Sequence, residues 1–152
     1  MPSYFAYGSN MSTNQMRNRL ESASFKVGVA KLAGWRLIFD KISKDGTGKA
    51  NLLKDEQGEV WGVIYQVTDE QMERLDDFEK GYCRAEVEVA LDGDNKSLDV
   101  ITYISNKRDP TLHPSRDYLN TIIEGAREHH LPEEYIRKIA TQAGIQDEER
   151  FL

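Results

Sequence analysis

The sequence predicts an α+β fold in which a curled, mostly antiparallel sheet carries helices segregated to one side. Three observations predict it. Apolar and polar residues alternate with a period of two through most of the chain between Phe25 and Ser105. Only a short helical segment breaks that pattern. The period then changes to that of a helix in the last third, where Leu119, Ile122, Ile123 and Ala126 form one stripe.

Each element has its own signal. Tyr4 to Tyr7 is an apolar run that reads as a short buried strand, and it ends in Gly8-Ser9-Asn10. Ser12 offers an N-cap, with Gln15 completing a capping box, and the helix it opens should turn Met16 and Leu20 inward. Phe25, Val27 and Val29 alternate with Lys26 and Gly28, and Trp35 to Phe39 continues in that style. "KDGTGK", from Lys44 to Lys49, is a turn. Glu59 to Val67 is apolar on both faces, as a central strand should be. Thr68 caps a second helix, Gln71 completes its capping box, and Met72 and Leu75 mark its inner face. In "CRAEVEVAL", Ala85, Val87, Val89 and Leu91 face one way and Arg84, Glu86 and Glu88 the other. "DGDN" then turns the chain and "LDVITYIS" returns antiparallel. Pro132 suits the first position of a last helix, with Ile136, Ile139, Ala140 and Ala143 inside and Gly144 past its end. "QDEERFL" reads as a loosely attached acidic tail.

The totals exclude several classes. With 152 residues and no repeat or linker, one domain over 1–152 is expected. A net charge of -6 with no Lys/Arg cluster argues against a nucleic-acid surface, which needs a basic stripe. No apolar run approaches the ~20 residues of a membrane span. The first residues lack the basic and apolar regions of a secretory signal, so a cytoplasmic setting is expected. Cys83 stands alone, which excludes an internal disulfide and a thiolate metal cluster.

Two places could do chemistry. Glu79 follows Met72 by seven residues and Leu75 by four, which puts a carboxylate on an apolar helical stripe. Burial there, and the negative end of the helix dipole, would both raise its pKa towards what a general acid/base needs. The competing reading is a helix that frays at Phe78 and leaves Glu79 in solvent. The second place is the opening loop. Gly8 permits close backbone approach or a positive φ, and the amides of Gly8, Ser9 and Asn10 could form an anion nest. An ordinary strand-to-helix turn is the alternative. "GSN" is not the Gly-x-Ser-x-Gly elbow, so Ser9 is not expected to be an acyl nucleophile. His129 and His130 are adjacent and point apart on a helix, and no metal-ligand spacing occurs elsewhere.

Three blocks carry a resemblance. "YFAYGSN", then "EVWGVIY" followed by "LDDFEKGY", and "PSRDYLNTIIEGAREHHLPEEYIRKI" together resemble the γ-glutamylcyclotransferase family over almost the whole chain. The first block is shared with a wider superfamily that includes γ-glutamylamine cyclotransferases and plant avirulence-induced proteins. The resemblance implies a small mixed, mostly antiparallel β-barrel with flanking helices. It implies a substrate loop at Tyr7, Gly8, Ser9 and Asn10, a catalytic Glu79 and a pocket aromatic at Tyr82. It further implies a small γ-glutamyl substrate and a homodimer, with neither metal nor organic cofactor.

The implied reaction explains what the sequence lacks. The α-amine of a γ-glutamyl amide attacks its own γ-carbonyl, giving 5-oxoproline and a free amine or amino acid. No enzyme Ser or Cys nucleophile is then required. Two alternatives stay open: a γ-glutamylamine or γ-glutamyl-acyl-carrier cyclotransferase at the same site, and a non-catalytic binding module on the same fold.

Overall fold

The computed structural model describes residues 1–144; the expected acidic tail at 146–152 lies outside them. In chain order the elements are β1 (Ser3–Ala6), a 3-10 turn (Ser9–Met11), α1 (Thr13–Leu20), β2 (Phe25–Ile42) and β3 (Gly48–Gln66). They continue with α2 (Asp69–Phe78), β4 (Cys83–Leu91), β5 (Ser97–Ile104), α3 (Arg116–Glu128) and α4 (Glu133–Gln142). The strands close a barrel in the order β1-β3-β2-β4-β5.

Two long strands make the wall. β2 runs for 18 residues and β3 for 19, paired antiparallel across a turn over 43–47; Gly48 and Lys49, expected in the turn, already pair with Ile42 and Lys41 in the ladder. Their register shifts at Lys26/Gly28, at Ala33/Trp35 and at Ile38/Lys41. Each shift bends the strand and sharpens its twist, so a single hairpin can curl far enough to close. β1 pairs antiparallel with β3 and meets β5 in parallel at Tyr4↔Ile101, which seals the barrel. Phe25 and Val27 alternate as the sequence suggests, but they stand on the outer wall, 68% and 39% exposed.

The core joins barrel and helices. Phe5, Leu32, Leu52 and Ile64 are buried together with Leu119 and Ile122 of α3 and Ile136 and Ile139 of α4. Met16 and Leu20 of α1 and Met72 and Leu75 of α2 are buried as expected. The Thr68 capping box is complete: Thr68 Oγ1 accepts from the Gln71 amide at 3.0 Å, and Gln71 Oε1 accepts from the Thr68 amide at 2.9 Å. The Ser12 box is not. Ser12 Oγ accepts from the Gln15 amide at 3.2 Å, but the Gln15 side chain turns away to Ser9 and Asn10. Pro132 is the N-cap of α4 rather than its first residue, one position earlier than expected.

Candidate active site

The candidate site begins where β1 ends. Gly8 (φ -117) leads into the 3-10 turn, where the Met11 amide bonds Gly8 O at 3.1 Å and the Ser12 amide bonds Ser9 O at 3.0 Å. The first amides of such a turn, at Ser9 and Asn10, have no acceptor within it. Of the two uses expected of Gly8, close approach is the one present. A Cβ there would lie 3.2 Å from Ala50 Cβ and 3.7 Å from Tyr118 Oη, and φ is not positive.

Glu79 arrives from the other side. α2 stops at Phe78, and Glu79 is its C-cap (φ -94, ψ 50), with its amide still bonded to Leu75 O at 2.9 Å. The helix thus ends where the solvated-end reading placed it, but the side chain does not enter solvent: only 16% of it is exposed. Glu79 Oε1 accepts from Asn10 Nδ2 and from Arg19 Nη1, both at 3.0 Å. Oε2 has no hydrogen-bond partner among the described residues. Burial pushes the Glu79 pKa above the ordinary glutamate value. The Arg19 charge, the Asn10 and Arg19 hydrogen bonds and the Lys41 charge pull the other way and only partly offset it. Desolvation is the first of these causes.

Asn10 ties the two halves together. Its Nδ2 also donates to Tyr4 Oη at 2.9 Å, and its Oδ1 accepts from Gln15 Nε2 and Arg19 Nη1, both at 3.0 Å. The Asn10 side chain is therefore engaged within the protein, which leaves its backbone amide for a ligand. Gly81 then lets the chain return. Its φ of +87 closes a turn in which the Tyr82 amide bonds Glu79 O at 3.1 Å, and Tyr82 swings back beside the glutamate.

Tyrosines build the rest. Tyr4, Tyr7, Tyr82, Tyr103 and Tyr118 line a pocket of about 310 Å³ with Gly8, Ser9, Asn10, Ala50 and Glu79. The register shift between Ile38 and Lys41 leaves Ala50 without a strand partner on β2. Two tyrosines supply one instead: the Ala50 amide donates to Tyr118 Oη at 3.0 Å, and Tyr82 Oη donates to Ala50 O at 2.6 Å. Tyr7 Oη donates to Tyr103 O at 2.5 Å, and Tyr103 Oη to Asp76 Oδ1 at 2.7 Å. Burial pushes all five phenols up from their ordinary pKa, so they remain neutral, rigid walls.

Every residue singled out in the sequence, Tyr7, Gly8, Ser9, Asn10, Glu79 and Tyr82, lies on this one pocket. Arg19, Tyr4, Tyr103, Tyr118 and Ala50 were not singled out. Arg19 falls one residue before the end of α1 and finds its carboxylate 60 residues away, so no local pattern announces the pair. A tyrosine inside an apolar strand run, as at Tyr4 and Tyr103, is the usable signal: its hydroxyl must find a partner or a cavity when buried.

The AIG2-like family model matches residues 59–139. A human protein named gamma-glutamylcyclotransferase is 34% identical over 145 residues, covering 90% of this chain and 76% of that protein. The mouse protein of the same name is 32% identical over the same shares. A solved structure titled gamma-glutamyl cyclotransferase superposes with a TM-score of 0.82 at 31% identity, covering 90% of this chain and 85% of the other. YkqA from Bacillus subtilis gives a TM-score of 0.80 at 24% identity over 94% of this chain and 54% of its own, a likeness of fold alone. With this identity and coverage in sequence and the shared barrel, the chain belongs to the γ-glutamylcyclotransferase (AIG2-like) family of enzymes.

Proposed function

We propose that this chain is a γ-glutamylcyclotransferase, which converts a γ-glutamyl amide to 5-oxoproline and the free amine or amino acid. The observation that carries the reading is the asymmetric Glu79 carboxylate. Oε1 is fixed by Asn10 and Arg19, and Oε2 is left unpaired at a pocket beside the Gly8–Asn10 turn. Oε2 takes a proton from the substrate α-ammonium. The freed amine attacks the γ-carbonyl carbon and closes the five-membered ring. The Ser9 and Asn10 amides, at the start of the turn, are the donors placed to meet the developing oxyanion or the α-carboxylate. Glu79 then passes its proton to the departing nitrogen as the C–N bond breaks, and the second proton of the ring nitrogen follows by way of the same carboxylate, so the freed amine leaves as an ammonium. Holding the substrate folded supplies several kcal/mol of the barrier, because the nucleophile is tethered to its target.

The test is 5-oxoproline release from a small panel of γ-glutamyl dipeptides, γ-glutamylamines and glutathione. No release from any of them would overturn the reading in favour of a binding module.

The direction of the Glu79 shift sets the pH dependence. The active base is the carboxylate, so activity should fall as pH drops through a Glu79 pKa that lies above the ordinary value of 4.5. Bound substrate brings an α-ammonium near and favours the carboxylate. The acid limb of kcat/KM should therefore sit at higher pH than that of kcat, where chemistry limits kcat. Arg19→Met removes the foremost influence holding the pKa down, so its kcat/KM limb should move higher still. Full pH profiles of parent and variant check this, and a limb that stays put would detach it from Glu79.

A further inference from the structure

A second hollow adjoins the tyrosine pocket. This outer groove of about 930 Å³ shares Ser9, Glu79, Tyr82 and Tyr118 with it and is also lined by Lys41, Ser43 and Lys49. Lys41 and Lys49 are direct partners across the β2–β3 ladder. Two like charges facing each other on a strand pair are destabilising unless an anion lies between them.

The surroundings sharpen the point. Lys41 is only 9% exposed, yet among the described residues its ammonium has no ion-pair or hydrogen-bond partner. That ammonium rests 5.1 Å from the centroid of the Tyr82 ring. The bare backbone of Gly81 makes the room, since a Cβ there would lie 2.9 Å from Lys41 Cε. Lys49 Nζ sits 4.2 Å over the Tyr118 ring, and its carboxylate partner is Asp45, 3.9 Å away with a side chain 58% exposed. Burial lowers the Lys41 pKa; Glu79 counters this, and Lys107 and Lys49 add to it. An ammonium that has lost part of its water and has no counter-ion is held at a cost, and the groove it lines is open to receive one.

We infer that Lys41 and Lys49 form a carboxylate subsite for the departing half of the substrate, and so select γ-glutamyl amino acids over γ-glutamyl amines. The inference rests on the cyclotransferase reading. The glutamyl head occupies the tyrosine pocket, its scissile amide reaches Glu79 where the two hollows meet, and the leaving half extends into the groove. An amino acid carries its carboxylate there; a simple amine carries nothing for the lysines to hold.

γ-Glutamylalanine and γ-glutamylethylamine differ only by that carboxylate. The parent should favour γ-glutamylalanine by about ten- to a hundredfold in kcat/KM, the range of a charge-assisted hydrogen bond. Lys41→Gln and Lys49→Gln should each reduce the preference, and the double variant should bring it towards one. A misfolded fraction, or a changed Glu79 pKa, acts on both substrates alike and cancels in the ratio. Equal efficiency in the parent overturns the subsite and leaves the cyclotransferase reading standing. So does a preference unchanged in the double variant, the result expected if the lysines hold the glutamyl carboxylate instead. No 5-oxoproline from either substrate overturns the cyclotransferase reading, and the subsite with it.

Discussion

Glu79→Gln is expected to lower kcat for 5-oxoproline release by about a hundredfold or more, while substrate binding and fold persist. The Gln oxygen can still accept from Asn10 Nδ2 and Arg19 Nη1, so the arrangement around Oε1 survives. The loss is of the group at Oε2 that takes and returns a proton. The stability sign is also fixed. The folded pKa of Glu79 is raised, so its favourable contribution to folding is complete below about pH 4.5 and is lost as pH rises through the folded value. At neutral pH the ionised side chain therefore opposes folding, even with Arg19 beside it. Gln resembles the protonated form, so the variant should melt at or above the parent temperature at pH 7. Initial rates, calorimetric substrate binding and thermal melts check the three parts, and near-parental turnover would remove Glu79 from the chemistry.

Much of this arrangement was legible before folding, and the exceptions have physical causes. Met72, Leu75 and Glu79 share a helical face, so a carboxylate near a core could be read from spacing alone. Its burial is real, although the helix stops one residue short. The long strands were harder. Each register shift in β2 reverses the inward and outward sense of the residues beyond it, so an 18-residue strand reads as separate fragments with period two. Barrel closure was not readable from alternation either. It depends on the parallel contact of Tyr4 with Ile101, a pairing with no local signal, and only the family resemblance implied it. The groups that surround Glu79 were hidden for the same reason. Arg19, Lys41 and Tyr118 come from α1, β2 and α3, and tertiary structure alone brings them to the pocket and its groove. The failed Ser12 box has a functional cast: Gln15 leaves the helix terminus to hold Ser9 and Asn10 in the turn.

Gly125→Val is expected to cost about as much activity as a change inside the pocket, although residue 125 does not line it. Gly125 lies in α3 against the underside of the 3-10 turn. A Cβ there would stand 2.7 Å from the Ser12 amide nitrogen, 2.8 Å from the Met11 carbonyl carbon and 2.9 Å from Met11 Cβ. Two of those atoms are backbone, and Met11 is fully buried. Met11 is also tethered, since the His129 Nε2 at the end of α3 bonds Met11 O at 2.9 Å. The turn therefore cannot move aside without breaking that contact or lifting α3. Overpacking of this kind costs about 1–3 kcal/mol, which in a chain of this size lowers Tm by roughly 3–10 °C. The larger effect should be on rate. The displaced turn carries Asn10, which fixes Glu79 Oε1, and the Ser9 and Asn10 amides proposed to grip the substrate. A misplacement of about 1 Å at such positions can reduce turnover on the order of a hundredfold. Gly125→Ala should show the same pair of changes in milder form, because a better helix former at that site returns up to ~1 kcal/mol. Melting curves and kcat/KM on one γ-glutamyl substrate separate the two effects. A Val variant with parental melting and parental turnover would mean that α3 does not set the height of the turn.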